Sequence, residues 1–216
     1  MEALHSLYSA TDGENWDWAV PQLAGPVWTF SAENQSDPCA DGRLGSPEVW
    51  QGLQCDQPPA ICASEDAVCS IRSILLTRFN LHGSIPAFVG NMTSLHQLSL
   101  DINNLEGSIP SSLGQLSALA ILDLLSNQLE GSIPSALGQL SALGFLYLYS
   151  NQLEGSIPSA LGQLSALERL ELDNNQLEGS IPSTLGQLSA LAILYLYSNQ
   201  LEGSIPSALQ LVTVEV

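Results

Sequence analysis

Residues 151–174 read NQLEGSIPSALGQLSALERLELDN, and this repeating unit decides the fold. Its Gly-Ser-Ile-Pro segment starts at residue 155 and recurs at residues 83, 107, 131, 179 and 203, so the interval between copies never changes. Six copies at one fixed interval cannot arise by chance, and a period of about 20–50 residues is typical of solenoids. The sequence therefore predicts a coil of units stacked on one another.

Apolar spacing within the unit predicts its local structure. Leucines recur every third residue from Leu161 to Leu170, which suits a 3₁₀-like segment because its side chains eclipse at that interval. Leu170 and Leu172 are separated by a single residue, which suits a strand with one buried face. Stacked units are therefore expected to pair their strands into one parallel sheet and to bury the leucines.

An asparagine follows each predicted strand at the same phase of the repeat. Its amide can donate to and accept from neighbouring backbone groups, so stacked copies are expected to form a buried ladder at the turn. Phe79 takes this position in the first unit, as expected of an atypical terminal repeat. The predicted ladder consists of Asn103, Asn127, Asn151, Asn175 and Asn199.

The repeat divides the chain into a capping region, residues 1–72, and an array, residues 73–216, of six Gly-Ser-Ile-Pro repeats plus a shortened last unit. Residues 2–10 are predicted to form a short amphipathic helix that helps to cover the first coil, because an uncovered end would expose a hydrophobic cross-section. Four tryptophans are expected to join this cover, namely Trp16, Trp18, Trp28 and Trp50.

The two ends of the sequence carry further expectations. Residues 1–5 lack the basic start and apolar run of a signal peptide. Residues 209–216 are expected to finish the array as a β-prone strand without a cap. Two explanations stay open: continuation in a longer protein, which is favoured, and homo-association through this edge strand.

The charge balance excludes two classes of partner. The chain has a formal net charge of −18 and no lysine. Nucleic acids and anionic lipid surfaces are bound mainly through Lys and Arg, so neither is an expected partner. No apolar run approaches the roughly 18 residues of a membrane helix, so membrane insertion is not expected. A protein, a peptide or a glycan is the expected ligand.

All four cysteines lie in one short segment of the capping region. An even number in one cluster predicts two disulfides and an oxidising compartment. A zinc site is the alternative, but the sequence has no Cys-x-x-Cys pair, so disulfides are favoured and no metal is expected. Glycosylation sequons at Asn34 and Asn91 agree with secretion. The cysteines are Cys39, Cys55, Cys62 and Cys69.

The repeat resembles the plant-type leucine-rich repeat, L-x-x-L-x-L-x-x-N-x-L-x-G-x-I-P-x-x-L-G-x-L, over residues 74–209. Residues 36–39 (Ser-Asp-Pro-Cys) and 50–55 (Trp-Gln-Gly-Leu-Gln-Cys) resemble that family's cap, and residues 3–16 look like the cap starts of algal and protist members. The resemblance implies an α/β fold: a right-handed solenoid with a concave parallel β-sheet, 3₁₀ segments on the convex side and a disulfide-containing N-terminal cap.

The same resemblance implies disulfide pairings and a function. Cys39–Cys55 and Cys62–Cys69 are the implied pairs, among three connectivities. Likeness to receptor ectodomains implies recognition of a protein, peptide or glycan by a secreted or cell-surface protein. Likeness to polygalacturonase-inhibiting proteins implies, as one alternative, inhibition of a cell-wall-degrading glycanase. Ice binding by some relatives implies another, an adhesion or ice-binding role, although Thr-rich arrays are absent here.

The outward strand positions vary although the rest of the repeat is nearly copied. Side chains alternate across a strand, so the residues between inward leucines face away from the core. Exposed tyrosines give rigid contact area, and Glu171 and Asp173 are expected to engage Arg or Lys of a partner. Packing between neighbouring strands is the alternative interpretation. The predicted ligand-binding residues are Asp123, Phe145, Tyr147, Tyr149, Arg169, Glu171, Asp173, Tyr195 and Tyr197.

Two further patterns favour binding without catalysis. One glutamate per unit forms a column that could attract Ca²⁺, although solvated surface residues copied with the repeat are the favoured interpretation. His5, His82 and His96 are isolated, and no nucleophile elbow, phosphate loop or H-E-x-x-H motif occurs. The sequence therefore predicts no enzyme and no cofactor. The column consists of Glu106, Glu130, Glu154, Glu178 and Glu202.

Overall fold

A computed structural model describes residues 2–15, 53–56, 70–209 and 213–215, and it confirms the predicted solenoid. Each complete unit contributes a short strand, a turn, a second extended strand and a 3₁₀ segment in that order. Successive units stack side by side, so equivalent elements of neighbouring units pair with one another.

The strands after the 3₁₀ segments form an eight-stranded sheet, which we call sheet A. Equivalent residues of neighbouring units are paired, so that Leu146 lies beside Leu122 and Leu170. All neighbouring strands pair in parallel except the first two, which are antiparallel. In spatial order the strands are β1 (Leu53–Cys55), β2 (Ile71–Leu75), β4 (Gln97–Ser99), β6 (Ile121–Asp123), β8 (Phe145–Tyr147), β10 (Arg169–Glu171), β12 (Ile193–Tyr195) and β14 (Thr213–Glu215).

A second parallel sheet of six strands, sheet B, was not predicted from the sequence. It is built from the x-Leu-x-Gly-Ser segment of each unit, whose glycine has positive φ, +73° at Gly155. The leucine of this segment is buried in every unit but the last, where Leu201 is half-buried. One buried residue per strand is too short a pattern to reveal a strand, and glycine disfavours one. The strands are β3 (His82–Gly83), β5 (Asn104–Ser108), β7 (Gln128–Ser132), β9 (Gln152–Ser156), β11 (Gln176–Ser180) and β13 (Gln200–Glu202).

The spacing by three does mark 3₁₀ structure, but the helical segment is shorter than the leucine pattern. In the central unit it ends at Gln163, and isolated turns then follow, with the N–H of Leu164 donating to Leu161 O and that of Leu167 donating to Leu164 O. The 3₁₀ segments are Gly13–Asn15, Ala87–Asn91, Ser111–Gln115, Ser135–Gln139, Ser159–Gln163, Ser183–Gln187 and Ser207–Leu209.

The inward leucines of the complete units form one continuous core. A fully buried leucine contributes about 1.5–3 kcal/mol, so the stacked units stabilise one another through a large apolar interface. The predicted inward residues of the central unit are all buried: Leu153, Leu161, Leu164, Leu167, Leu170 and Leu172 at 0% exposure and Ile157 at 2%.

The asparagine ladder is confirmed. Asn151 accepts the N–H of Leu129 through Oδ1 at 3.1 Å and donates through Nδ2 to Leu124 O and Leu148 O, both at 3.0 Å. Each amide therefore joins its own turn to the unit before it. Phe79, at the equivalent position of the first unit, is fully buried.

The described part of the cap closes the start of the array. The predicted helix is α1 (Glu2–Ala10), and its Leu4 and Leu7 are buried in the common core. Its C-terminal end extends sheet B, because the N–H of His82 donates to Thr11 O and that of Ser84 donates to Ala10 O. The four tryptophans predicted to cover the first coil lie outside the described residues.

The disulfide pairings and the domain boundary stay predictions. Cys55 lies in β1 and is disulfide-bonded, whereas the other three cysteines lie outside the described residues.

At the far end of the array, β14 pairs with β12 and places Thr213 beside Ile193, which in turn lies beside Arg169. The step from 193 to 213 is shorter than the step from 169 to 193. Association through this edge is untested.

Candidate ligand-binding surface

Eight of the nine predicted ligand-binding residues, all except Asp123, lie on or directly after three adjacent strands of sheet A. Their side chains form three rows across β8, β10 and β12 on the side away from the leucine core, and we call this surface the tyrosine face. The pairing register sets the first two rows, and the backbone bonds from Ser150 N to Asp173 O and from Asn174 N to Tyr197 O extend it to the third. The rows are Phe145, Arg169 and Ile193; Tyr147, Glu171 and Tyr195; Tyr149, Asp173 and Tyr197.

Arg169 holds the middle of this face together. Its guanidinium lies 5.8 Å from the ring centroid of Tyr147 and 5.7 Å from that of Tyr195, so it bridges strands on both sides. Its Nε donates a hydrogen bond to Glu171, with which it forms an ion pair. That hydrogen bond is the main reason that the pKa of Arg169 is raised. The cation–π contacts and ion pair make this part of the face pre-ordered.

Two predicted acidic contacts lie deeper than expected. Glu171 is 5% exposed and Asp173 is 2% exposed, so both carboxylates lie below the open surface, and their engagement of Arg or Lys of a partner stays a prediction. Glu171 accepts a hydrogen bond from Arg169, whereas Oδ2 of Asp173 accepts the Nδ2 of Asn174 at 2.7 Å. Oδ1 of Asp173 is buried and has no hydrogen-bond partner among the described residues.

The aromatic rings are partly exposed and pair along each strand. Phe145 and Tyr147 stack with centroids 6.3 Å apart, and Tyr195 and Tyr197 lie 6.1 Å apart at a tilted angle. Tyr197 is the most open ring of these, at 36% exposure. Packing between neighbouring strands was the alternative interpretation, and the contacts of Tyr147 and Tyr195 with Arg169 on the strand between them are packing of this kind. The face offers rings that are ordered and still accessible.

Asp123 lies on β6 beside the tyrosine face and is half-buried. Burial is the main cause that raises the pKa of this carboxyl to about 7, and the charges of Asp101 and Glu171 add to it. The N–H of Leu125 donates to Asp123 Oδ1 at 3.3 Å, and this hydrogen bond lowers the pKa of the carboxyl. The carboxyl therefore titrates near neutral pH, unlike an exposed aspartate.

The face has a negative electrostatic field. Burial first, and then the charges of Glu171, Asp123, Asp173 and Asp101, raise the pKa of Tyr149. Asp101 is not among the predicted ligand-binding residues, and it is buried with its Oδ1 accepting the hydroxyl of Thr77 at 2.7 Å. Its phase in the repeat, the same as that of Tyr149 and Asp173, is the signal that could have found it.

The remaining predicted sites lie away from this face. The glutamate column runs along sheet B with every carboxylate exposed, and no group of three or more His, Cys, Asp or Glu in the described part of the chain is placed to hold a metal ion. Asn91 is exposed at the end of a 3₁₀ segment, while Asn34 lies outside the described residues. None of the described helices is long and apolar enough to cross a membrane.

The chain belongs to the leucine-rich-repeat family. A family profile described as a leucine-rich repeat region matches residues 87–212, which is more than half of the chain, and the stacked strands and 3₁₀ turns agree with it. No curated protein matches the chain at a significant level. Solved structures similar to it are plant leucine-rich-repeat ectodomains and a plant ice-binding protein.

Three solved structures illustrate the likeness. The ectodomain of the receptor kinase GASSHO1/SCHENGEN3 from Arabidopsis thaliana, in complex with CASPARIAN STRIP INTEGRITY FACTOR 2, is 46% identical, with 64% of this chain and 17% of that chain covered and a TM-score of 0.64. A chain of the Arabidopsis thaliana BIR3–SERK2 complex is 32% identical, with 94% of both chains covered and a TM-score of 0.67. A plant ice-binding protein is 28% identical, with 96% of this chain and 58% of that chain covered and a TM-score of 0.74. This chain thus spans less than a fifth of the first ectodomain.

Proposed function

We propose that this chain is an extracellular recognition module that binds a protein or peptide through its tyrosine face and catalyses no reaction. One observation carries the proposal: ordered, accessible aromatic rings surround Arg169 on three adjacent strands. Tyr and Arg dominate binding energy at protein interfaces, because they give large contact area at small entropic cost. Here the order exists before a ligand arrives, which reduces the cost of binding.

The solved neighbours support a protein or peptide ligand. One is an ectodomain in complex with CASPARIAN STRIP INTEGRITY FACTOR 2, and another belongs to a complex of two proteins, BIR3 and SERK2. The likeness to receptor ectodomains also supports an extracellular location for this chain. The negative field at Tyr149 favours a partner surface that carries positive charge.

A matched pair of fourfold variants tests the proposal. A partner is first captured from the extracellular proteins of the source organism, purified, and titrated calorimetrically against each variant. Alanine at all four tyrosines of the face is expected to weaken binding by at least about a hundredfold, because hot-spot residues each contribute about 2 kcal/mol or more. The control replaces four exposed glutamines of sheet B, Gln128, Gln152, Gln176 and Gln200, with alanine and is expected to keep full affinity.

Equal affinity of the tyrosine variant and the wild type would reject this surface. Melting curves of both variants must show that the array is still folded. The same partner titration covers the glycanase-inhibitor alternative, because a captured glycanase would lose activity on mixing with the wild type and keep it on mixing with the tyrosine variant.

A second candidate function is ice binding, favoured by the likeness to a plant ice-binding protein and by the exposed, regularly spaced side chains of sheet B. Regular arrays suit a crystalline surface, but the carboxylates of this sheet are strongly hydrated. Crystal shaping by the wild type, lost in a variant with tyrosine at Ser132 and Ser156, would support it. Unshaped ice in the presence of the wild type would exclude it.

A further inference from the structure

The second and third rows of the tyrosine face have the same composition. In each row the middle strand supplies a buried carboxylate, and the strands on both sides supply a tyrosine. The second row consists of Tyr147, Glu171 and Tyr195, and the third of Tyr149, Asp173 and Tyr197. The rows differ in one respect: the guanidinium of Arg169, a residue of the first row, reaches the rings and the carboxylate of the second row.

The second row shows how this composition binds a cation. The guanidinium of Arg169 lies between the rings of Tyr147 and Tyr195, at 5.8 and 5.7 Å from their centroids, and donates to Glu171. A flat cation can stack on aromatic faces while its N–H groups remain in the ring plane to reach a carboxylate. The protein therefore carries its own example of guanidinium recognition.

The third row lacks one hydrogen-bond donor. Asp173 is 2% exposed, its Oδ2 accepts the Nδ2 of Asn174, and its Oδ1 finds no donor in the described part of the chain. A buried acceptor without a partner costs about 1–3 kcal/mol, and more when it is charged. A ligand that donates to Oδ1 would remove this cost, so the carboxylate favours a donor with positive charge.

The surroundings of the row add to this preference. Besides Asp173, three carboxyl groups contribute negative potential at Tyr149, those of Glu171, Asp123 and Asp101. The nearest described cation, Arg169, is already paired with Glu171. A negatively charged ligand would therefore be repelled at the third row.

We infer that the third row is a subsite for an arginine side chain of the peptide or protein ligand, in which the guanidinium enters between Tyr149 and Tyr197 and donates to Asp173 Oδ1. This inference rests on the proposed function and deepens it by naming the ligand group. Because Oδ1 is covered, entry requires a ring of the row to rotate. Tyr197, the more exposed of the two tyrosines, is the ring that we expect to move.

A titration with small peptides tests the subsite directly. The probes are three blocked tripeptides, Gly-Arg-Gly, Gly-Lys-Gly and Gly-citrulline-Gly, added to the isotopically labelled full chain. Citrulline matches arginine in shape but has no charge. Saturable NMR shifts at the amides of Asp173, Asn174 and Tyr197 are expected with the arginine peptide and not with citrulline, and the lysine peptide is expected to bind several-fold more weakly because its ammonium cannot stack as a flat group.

Two variants give the inference its controls. Asp173→Asn keeps an acceptor for Asn174 but removes the charge, and it is expected to weaken the arginine peptide at least about tenfold. Glu178→Gln removes one exposed carboxylate of sheet B, changes the net charge equally and is expected to leave the titration unchanged. Tyr197→Ala changes an exposed ring with little risk to folding, and it is expected to weaken binding as well.

Equal binding of citrulline and arginine, no saturable shift at the third row, or unchanged affinity in Asp173→Asn would overturn the subsite. These results differ from failure of the proposed function. If the captured partner loses affinity for the fourfold tyrosine variant but binds Asp173→Asn normally, the face binds protein and the arginine assignment is wrong. If the tyrosine variant binds that partner fully, the proposed function itself fails.

Discussion

Replacement of Asn151 by alanine removes one member of the asparagine ladder, and the structure predicts its cost. The side chain of Asn151 accepts the N–H of Leu129 and donates to Tyr149 O, which also accepts the N–H of Ser126. It donates as well to Leu124 O and Leu148 O. Both carbonyls also accept an amide from the adjacent ladder asparagines, so each keeps a partner in the variant. Only the N–H of Leu129 loses its partner.

The magnitude follows from that single orphaned donor. A buried N–H without a partner costs about 1–3 kcal/mol. Weaker bonding of the two shared carbonyls and the small cavity add to it, so Asn151→Ala is expected to lower the free energy of unfolding by about 2–3 kcal/mol. Asn199→Ala is expected to cost less than about 1 kcal/mol, because Asn199 is half-buried, so water can take the place of its side chain beside Leu177 N, the donor that it serves.

Urea unfolding followed by far-UV circular dichroism measures both values. Gln152→Ala, an exposed neighbour of Asn151, serves as the control and is expected to stay within about 0.5 kcal/mol of the wild type. Equal losses for Asn151→Ala and Asn199→Ala, or a loss below about 1 kcal/mol at Asn151, would refute the reasoning that buried backbone groups depend on the ladder.

Three other predictions concern stability. Asp123→Asn should stabilise the fold above pH 7, because the pKa of Asp123 is raised to about 7 and the wild type therefore loses stability as the pH rises from about 4 to 7. The unscreened loss would be about 4 kcal/mol, and solvent screening of this half-buried carboxyl reduces it to about 1–2 kcal/mol. Urea titrations at pH 4 and pH 8 measure the difference. Gly138→Ala should cost about 1–3 kcal/mol and lower the Tm, because its Cβ would lie 2.4 Å from Ala160 O. Ile102→Asn should raise the Tm by relieving about 1 kcal/mol of strain, because Ile102 has φ +54°; an unchanged Tm would contradict this.

The repeat period made most of the fold predictable. A leucine such as Leu170 is inward in every unit because the same spacing recurs, and stacking allows only one way to bury all copies. Asn151 was predictable for the same reason, since an amide repeated at a turn must find backbone partners. These features depend on the interval between residues and not on their neighbours in space.

Features set by contacts between strands were not predictable. Sheet B was missed because its five-residue strands each bury a single leucine and contain a glycine, as β9 does with Leu153 and Gly155. The depth of Glu171 and Asp173 was missed because it depends on which side chains the register places beside them. Arg169 was predicted as a ligand contact, but its position between two rings requires three strands at once.

Site-specific photo-cross-linking tests most directly whether the tyrosine face meets the partner. Benzoylphenylalanine replaces Tyr149 in one sample and the exposed Gln176 of sheet B in the other, and each is irradiated with the purified partner. The account predicts a cross-link from position 149 that unlabelled wild type competes away, and none from position 176. A cross-link from position 176 alone, or equal yields from both positions, would contradict it.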